Sequence, residues 1–398
     1  MKNFIYLSPN FPANHWNFCY HLKRNGLNVL GIGDCPYDQL SEELKGSLTE
    51  YYKVSSLENY DEVYRAVAFF AFKYGKIDWL ESNNEYWLIR DAQLREDFHI
   101  TSGFLPEDMD AVKYKSRMKE YYEKAGVPVA RYHLVDTVED CKKFIEEVGY
   151  PVVVKPDNGV GASDTHKLKK DEDLELFFET KMDVPYIMEE FIDGQVESYD
   201  AVIDSHGEPI FENGNVTVSN LMETVSENGN SAFYERSVLP KELLEKGRAV
   251  VKAFNVRSRF VHFEFFKLNS DQPIGKKGDF VALEVNMRPP GGIAPTMMNY
   301  ANGTDAYEIW ADMIAFDRSD RHRERKQICV FTGRRDGHEF RKSAEDIRKK
   351  YGDRIVEEGP VEKALSGAMA DYMFLGLVDT KKEADQFITD VLSEKKKK

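Results

Sequence analysis

Two segments near residues 264 and 284 constrain this chain more than any others. Residues 259–268 read RFVHFEFFKL and residues 280–288 read FVALEVNMR. Both are rich in aromatic and β-branched side chains, the composition of strands. The intervening NSDQPIGKKGD is polar and carries Gly and Pro, so it reads as a loop. A symmetric hairpin about that loop sets Glu264 opposite Glu284. Side chains two apart share a strand face. His262 and Glu264 then look across at Glu284, Asn286 and Arg288, while Val261, Phe263, Phe265, Val285 and Met287 form a core face. Like charges facing each other across a ladder are destabilising. Two carboxylates and an amide oxygen make sense there if a hard cation such as Mg²⁺ sits between them beside substrate phosphates. On these segments alone, two solvated glutamates on an exposed face remain the alternative.

A chain of 398 residues suggests two to three domains. Its formal charge of −15 argues against a nucleic-acid surface or an anionic membrane as partner. No apolar run reaches the roughly 18 residues of a membrane span, and the N-terminal MKNFIYLSPNF is too short an apolar run for a signal peptide. Cys19, Cys35, Cys141 and Cys329 are scattered without metal spacing, which points to free thiols and a cytoplasmic setting.

Residues 3–8, a helix over 13–25 closed by Gly26, and residues 27–32 read as the βαβ start of a parallel sheet. A further helix leads to a strand ending at Glu81–Asn84. GIGD at 31–34 lacks the spacing of a dinucleotide fingerprint. A helix is predicted over 113–125, stopped by Gly126 and Pro128. A second α/β unit follows: helix 138–148, strand 151–156, the loop DNGVGASDTHKL, helix 171–180 and strand 185–191. Strands near 196–204 and 208–212, a helix over 240–254, the hairpin, the connection RPPGGIAPT and a helix near 303–316 complete it. The last part, 326–398, adds ICVFTG, YMFLGLV and two charged helices. The expected units are 1–112, 113–195, 196–325 and 326–398.

Lys155 ends an apolar strand, and Gly159, Gly161, Ala162 and Ser163 follow it. Small residues let backbone N–H groups approach an anion closely. The motif is weak by itself, because a strand ending in Lys before a Gly-bearing turn is common. A buried charged Lys155 requires an anion, and a bound phosphate is expected to supply it. Lys115, upstream, is a second candidate cation. MEEFIDGQVE at 188–197 brings carboxylates at Glu189, Glu190 and Glu197 to a strand end. Ser8–His15, Glu81–Asn84, RPPGGIAPT, Arg334 and Arg335 are candidate substrate contacts.

In this order, AVKYKSRMKEYYEKAGVPVARY, GYPVVVKPDNGVGAS, YIMEEFIDGQVES, FVHFEFFKL and FVALEVNMRPPGG resemble the ATP-grasp superfamily, on its carboxylate–amine ligase branch. The resemblance covers about residues 1 to 315. It implies an α/β chain with an N-terminal open parallel domain, a small lid subdomain and a mixed-sheet catalytic domain. It also implies ATP and Mg²⁺ (or Mn²⁺) as cofactors. Lys115 and Lys155 look like the phosphate lysines, and Gly159, Gly161, Ala162 and Ser163 like the covering loop. Glu189, Glu190, Phe191 and Ile192 look like the adenine-reading hinge, and Glu197 like a ribose contact. Glu264, Glu284 and Asn286 look like the metal ligands, and Arg288 like the arginine that steadies an acyl phosphate. The implied reaction activates a carboxylate as an acyl phosphate, with ADP formed, and couples it to an amine or a thiol. Its partners are small molecules, and a homodimer is compatible. Tyr114 before Lys115 and the sparse glycines of GVGAS depart from the family pattern. A non-catalytic ATP-binding protein and a phosphotransferase remain alternatives.

Overall fold

The computed structural model describes residues 1–159, 164–219, 229–322 and 324–395. Gly161, Ala162 and Ser163 lie outside the described residues. Of the covering loop that the resemblance implies, Gly159 is described.

The chain opens with four parallel strands: β1 (Asn3–Leu7), β2 (Asn28–Gly33), β3 (Glu50–Lys53) and β4 (Trp79–Glu81). They lie in the order β3-β2-β1-β4. The inner strands β1 and β2 are buried on both faces because both faces are covered, as a parallel sheet requires, whereas the edge strand β3 is not. Ile5, Leu7, Leu30 and Ile32 pack on Val63, Ala66, Val67 and Phe70 of helix Tyr60–Tyr74. Phe4, Tyr6 and Val29 pack on Phe18 and Leu22 of helix Trp16–Arg24 and on Trp310 of helix Ala306–Phe316. The segments leaving β1 and β4, at Ser8–His15 and Ser82–Glu85, therefore emerge together at the carboxyl edge, where open α/β sheets bind ligands.

A small antiparallel sheet follows, made of β5 (Tyr132–Leu134), β6 (Val152–Pro156), β7 (His166–Leu168) and β8 (Tyr186–Glu190) in the order β5-β8-β6-β7. Helices Val138–Val148 and Asp171–Thr180 supply Cys141, Phe144, Ile145, Leu174 and Phe177 to its core. The sequence reading of 157–168 as one loop is corrected here: His166–Leu168 pairs with Val152–Val154. A three-residue polar strand has no alternation to read.

The third sheet has nine described strands. They are β9 (Gly194–Ile203), β10 (Pro209–Asn213), β11 (Asn215–Thr217), β12 (Ser231–Glu235), β13 (Arg259–Leu268), β14 (Phe280–Asn286), β15 (Ile328–Arg334), β16 (Ile355–Pro360) and β17 (Tyr372–Val378). Their order is β14-β13-β9-β11-β12-β15-β17-β16, with β10 on β9. The last three strands thus extend this sheet. The β13–β14 hairpin has the expected register, with His262 opposite Asn286 and Glu264 opposite Glu284, then a shift before Phe265↔Ala282. Val261, Phe263, Phe265, Val285 and Met287 are buried in one cluster, as the alternation predicts.

Two helix boundaries differ from expectation. The helix expected over 113–125 is two, Met109–Lys113 and Lys115–Lys124, because Tyr114 is extended at ψ 119. The second helix starts where it does because Asp157 captures it. Lys115 N–H donates to the Asp157 carbonyl at 2.9 Å, and Ser116 N–H to the Asp157 carboxylate at 2.7 Å. After the hairpin, the connection turns helical at Ala294–Asn302, before left-handed Gly303 and the next helix at Ala306. Among the described residues no helix is long and apolar enough to cross a membrane.

Candidate active site

The third sheet and the lid sheet face each other across a cleft that gathers carboxylates and cations. Glu264 and Glu284 stand side by side on one hairpin face. Lys115, first residue of its helix, reaches Glu284 Oε1 at 3.1 Å and the Gly159 carbonyl at 3.1 Å. Burial first, and Glu264 second, hold the Glu284 carboxyl above its ordinary range against the pull of Lys115. Burial also disfavours a charged Glu264, but His262, Arg288 and Lys155 bring its carboxyl below the ordinary range. The adjacent amide Asn286 accepts from Arg288 Nη2 at 3.1 Å. Arg288 also donates to the Pro289 carbonyl and lies 3.6 Å from Glu85 Oε2.

The donor set is all oxygen, two carboxylates and an amide, and its carboxylates crowd each other. That chemistry fits a hard divalent cation such as Mg²⁺. His262 is held between Asp200, Nδ1 to Oδ1 at 2.5 Å, and Glu264, Nε2 to Oε1 at 3.4 Å. Burial works against its charge, yet Asp200 and then Glu264 raise it to about 9. His262 is thus held on both sides, between Asp200 and Glu264.

Lys155 is next to last in β6 and is buried, as the sequence implies. Its counter-anion, however, is already in the protein. Lys155 Nζ lies 2.6 Å from Glu189 Oε2, so the expectation that a bound phosphate alone neutralises it is corrected. Lys119 Nζ holds the other oxygen, Glu189 Oε1. Burial would raise the Glu189 carboxyl, but the two lysines bring it down to about 2. The same burial pulls Lys119 below its ordinary range. Lys119 was not among the sequence candidates. Its signal is its spacing of four from Lys115, which sets both on one helix face.

The other hinge residues lie as follows. Glu190 pairs with Arg131 at 2.7 Å. The Phe191 ring is half-exposed under Lys167 Nζ, 3.6 Å from its centroid. Ile192 is buried with Ala130, Leu268 and Val281. Glu197, fully buried, pairs with Arg236 at 2.5 Å and lies 3.8 Å from Lys267. Gly159 stands beside Lys115 through its carbonyl.

Near Arg288, the ends of β1 and β4 bring in polar groups. Lys113 Nζ pairs with Glu85 Oε1 at 2.6 Å. Glu85 Oε2, Asn10 Oδ1 and Asn14 Oδ1 are buried without a hydrogen-bond donor. The Tyr6 hydroxyl meets His15 Nδ1 at 3.1 Å and accepts from Asn83 at 3.4 Å. Arg334 and Arg335 do not join this site. Arg334 donates to the Val391 and Lys342 carbonyls, and Arg335 to the Ser366 and Gly367 carbonyls.

A cleft with two facing glutamates, a lysine ending a strand and another opening a helix agrees with the motif order. The ATP-grasp domain family profile matches residues 120–257. The chain contains an ATP-grasp domain. The hairpin carrying Glu264 and Glu284 lies beyond the matched residues. The chain is similar to an L-arginine-specific L-amino acid ligase of Bacillus subtilis, 28% identical over 229 residues, covering 55% of this chain and 53% of that protein. It is also similar to the C-terminal section of a carbamoyl phosphate synthase large chain of Methanopyrus kandleri, 27% identical over 146 residues, covering 36% of this chain and 26% of that one. The matches thus span about half and about a quarter of these relatives. An L-amino acid ligase of Bacillus licheniformis shares the ATP-grasp fold at TM-score 0.70 and 14% identity, over 98% of this chain and 97% of that one.

Proposed function

We propose that this chain is an ATP-dependent carboxylate–amine ligase that forms an acyl phosphate and releases ADP and phosphate. The observation that carries this reading is the facing Glu264/Glu284 pair, ringed by Lys115, Lys155 and Arg288. Phosphoryl transfer needs alignment and charge neutralisation rather than a covalent nucleophile. Glu264, Glu284 and Asn286 would hold a Mg²⁺, which would supply neutralising charge on the nucleotide phosphates. Lys115 and Lys155 bind the phosphates from the helix side and the β6 side. Glu190, Phe191 and Ile192 serve the adenine end and Glu197 the ribose end. Arg288, with its planar fork, holds the acyl phosphate bidentately.

Glu85 Oε2, which has Arg288 at 3.6 Å and no hydrogen-bond donor, and the donor-less Asn10 Oδ1 and Asn14 Oδ1 after β1 suit a substrate rich in N–H groups. This agrees with relatives named as amino acid ligases. The four free cysteines support a reducing, cytoplasmic setting, and the substrates are small molecules. The division at residues 112, 195 and 325 belongs to this proposal, with β15–β17 completing the catalytic sheet.

The test is a screen of amino acids in pairs, with ATP and Mg²⁺, reading ADP, AMP and phosphate. ADP and phosphate produced only when a carboxylate and an amine are both present is the expected result. AMP and pyrophosphate as products, or ATP binding with no turnover in any pair, would overturn it.

A further inference from the structure

Two buried lysines share one carboxylate at the heart of this cleft. Lys119 and Lys155 close on the two oxygens of Glu189, and all three side chains are at most 10% exposed. The pieces come from three separate elements. Lys119 lies one turn after Lys115 in helix Lys115–Lys124, Lys155 is next to last in β6, and Glu189 lies in β8. β6 and β8 pair directly, with Lys155 opposite Ile187 and Val153 opposite Glu189. One carboxylate cannot neutralise two cations, and uncompensated buried charge is costly. Lys155 also feels the field of Glu284 and Glu264, whereas Lys119 has Glu189 as its ion-pair partner and Glu190 as a further negative charge. The Lys119 ammonium further lies over the Tyr132 ring, 5.6 Å from its centroid, a cation–π contact that is weaker than a second carboxylate.

We propose that Lys119 is a positioning residue for nucleotide phosphates: by competing for Glu189, it keeps Lys155 only partly neutralised and aimed at the Glu264/Glu284 pair. With Lys119 present, Glu189 is divided between two ammonium groups, and the cluster carries one positive charge more than it does with a neutral side chain at 119. That excess favours a polyanion over a neutral ligand. With Lys119 replaced by a neutral side chain, Glu189 closes on Lys155 alone as a satisfied, neutral pair, and the phosphate lysine is withdrawn from its work. Lys119 thus acts through another residue and need not touch the nucleotide. The inference rests on the reading of this cleft as an ATP site.

Calorimetry with ATP and with inorganic tripolyphosphate, which reads the phosphate end without adenine, tests it on the full chain. Lys119→Met is expected to weaken both ligands by at least ~10-fold, the size of one lost charge-assisted contact. In turnover, KM for ATP rises more than kcat falls. Lys119→Arg keeps the charge and restores most of the loss. Glu189→Gln frees both lysines and tightens tripolyphosphate, whatever Glu189 does for adenine. Wild-type affinities in a folded Lys119→Met, with only a lower Tm, would make Lys119 merely structural and overturn the inference. Weaker tripolyphosphate binding in Glu189→Gln would overturn it as well. Wild-type protein that binds neither ligand would overturn this inference and the ATP reading together, whereas binding that is intact in wild type and unaltered in both variants removes this inference alone.

Discussion

Glu284 carries two opposed obligations. Its carboxylate is buried beside that of Glu264, which disfavours charge, and it is also the partner of Lys115. Because its carboxyl titrates above the ordinary value in the fold, the stability tied to this group is present at low pH. It is lost as pH rises through the folded value. At neutral pH without divalent cation, its charge therefore works against the fold. Glu284→Gln keeps the shape and an acceptor for Lys115 while removing that charge. It is expected to raise Tm in metal-free buffer at pH 7, read by scanning calorimetry, and to abolish ADP release. A lowered Tm would show that the Lys115 pair outweighs the crowding. Lys155→Met is the complementary case. It leaves Glu189 to Lys119 and removes a phosphate contact worth roughly 1.5–3 kcal/mol, so ATP affinity should fall by at least ~10-fold in calorimetry. Unchanged affinity would place the phosphates on another strand. The opposition of Glu264 and Glu284 was legible because it depends only on strand alternation and a symmetric loop. The sharing of Glu189 was not, because Lys119 and Glu189 are 70 residues apart and no local pattern joins them.

Elements were legible where their ends carry their own punctuation. Helix Val138–Val148 matches its expected span because Thr137 caps it, accepting from Asp140 N–H, and Gly149 closes it at φ +79. β11 and β12 were missed because their polar residues are buried rather than alternating. Asn213 and Asn215 both donate to Glu235, which burial and the charge of Asp200 raise to about 8. A strand whose inner face is a hydrogen-bonded polar network reads as a loop. Helix Lys241–Ala253 shows the opposite economy, a glycine used for contact rather than for a turn. Gly247 rests on the ring of Tyr199 in β9, and a Cβ there would sit within the ring atoms' contact distance. Tyr199 is fully buried and its hydroxyl donates to Glu212 at 2.7 Å, so the ring cannot withdraw without breaking that bond. Gly247→Ala gains helix propensity but overpacks the seam, and is expected to destabilise by about 1–3 kcal/mol in urea unfolding. A neutral or stabilising effect would mean that the helix lifts off the sheet freely.

At the scale of the molecule, a buried ionic joint ties the N-terminal sheet to the hairpin. It spans 178 residues of chain, which is why sequence spacing did not reveal it. Glu81 Oε2, at the end of β4, accepts from Arg95 and from Arg259 of β13, each at 2.8 Å. Arg259 in turn donates to the Met287 carbonyl, next to Arg288. Asp91 is buried against Glu81. One of its oxygens accepts from the Ser82 amide at 3.0 Å and the Ser82 hydroxyl at 2.6 Å. Glu81 Oε1 and Asp91 Oδ1 are both left without a donor. A single proton shared between the two carboxyls would satisfy both, as expected of like-charged neighbours in a dry site. Burial first, and the charge of Glu81 second, raise Asp91 to about 8. Its folded pKa thus lies above the ordinary 3.8, so the folded protein holds a proton that the unfolded chain has released. The stability this proton confers is complete below pH 4 and is lost progressively as pH rises to about 8. Asp91→Asn supplies a permanent donor to Glu81 in place of the titrating one. Its Tm, measured against wild type, should therefore improve steadily from pH 5 to pH 8. Parallel curves for the two proteins across that range would show that the joint holds no shared proton.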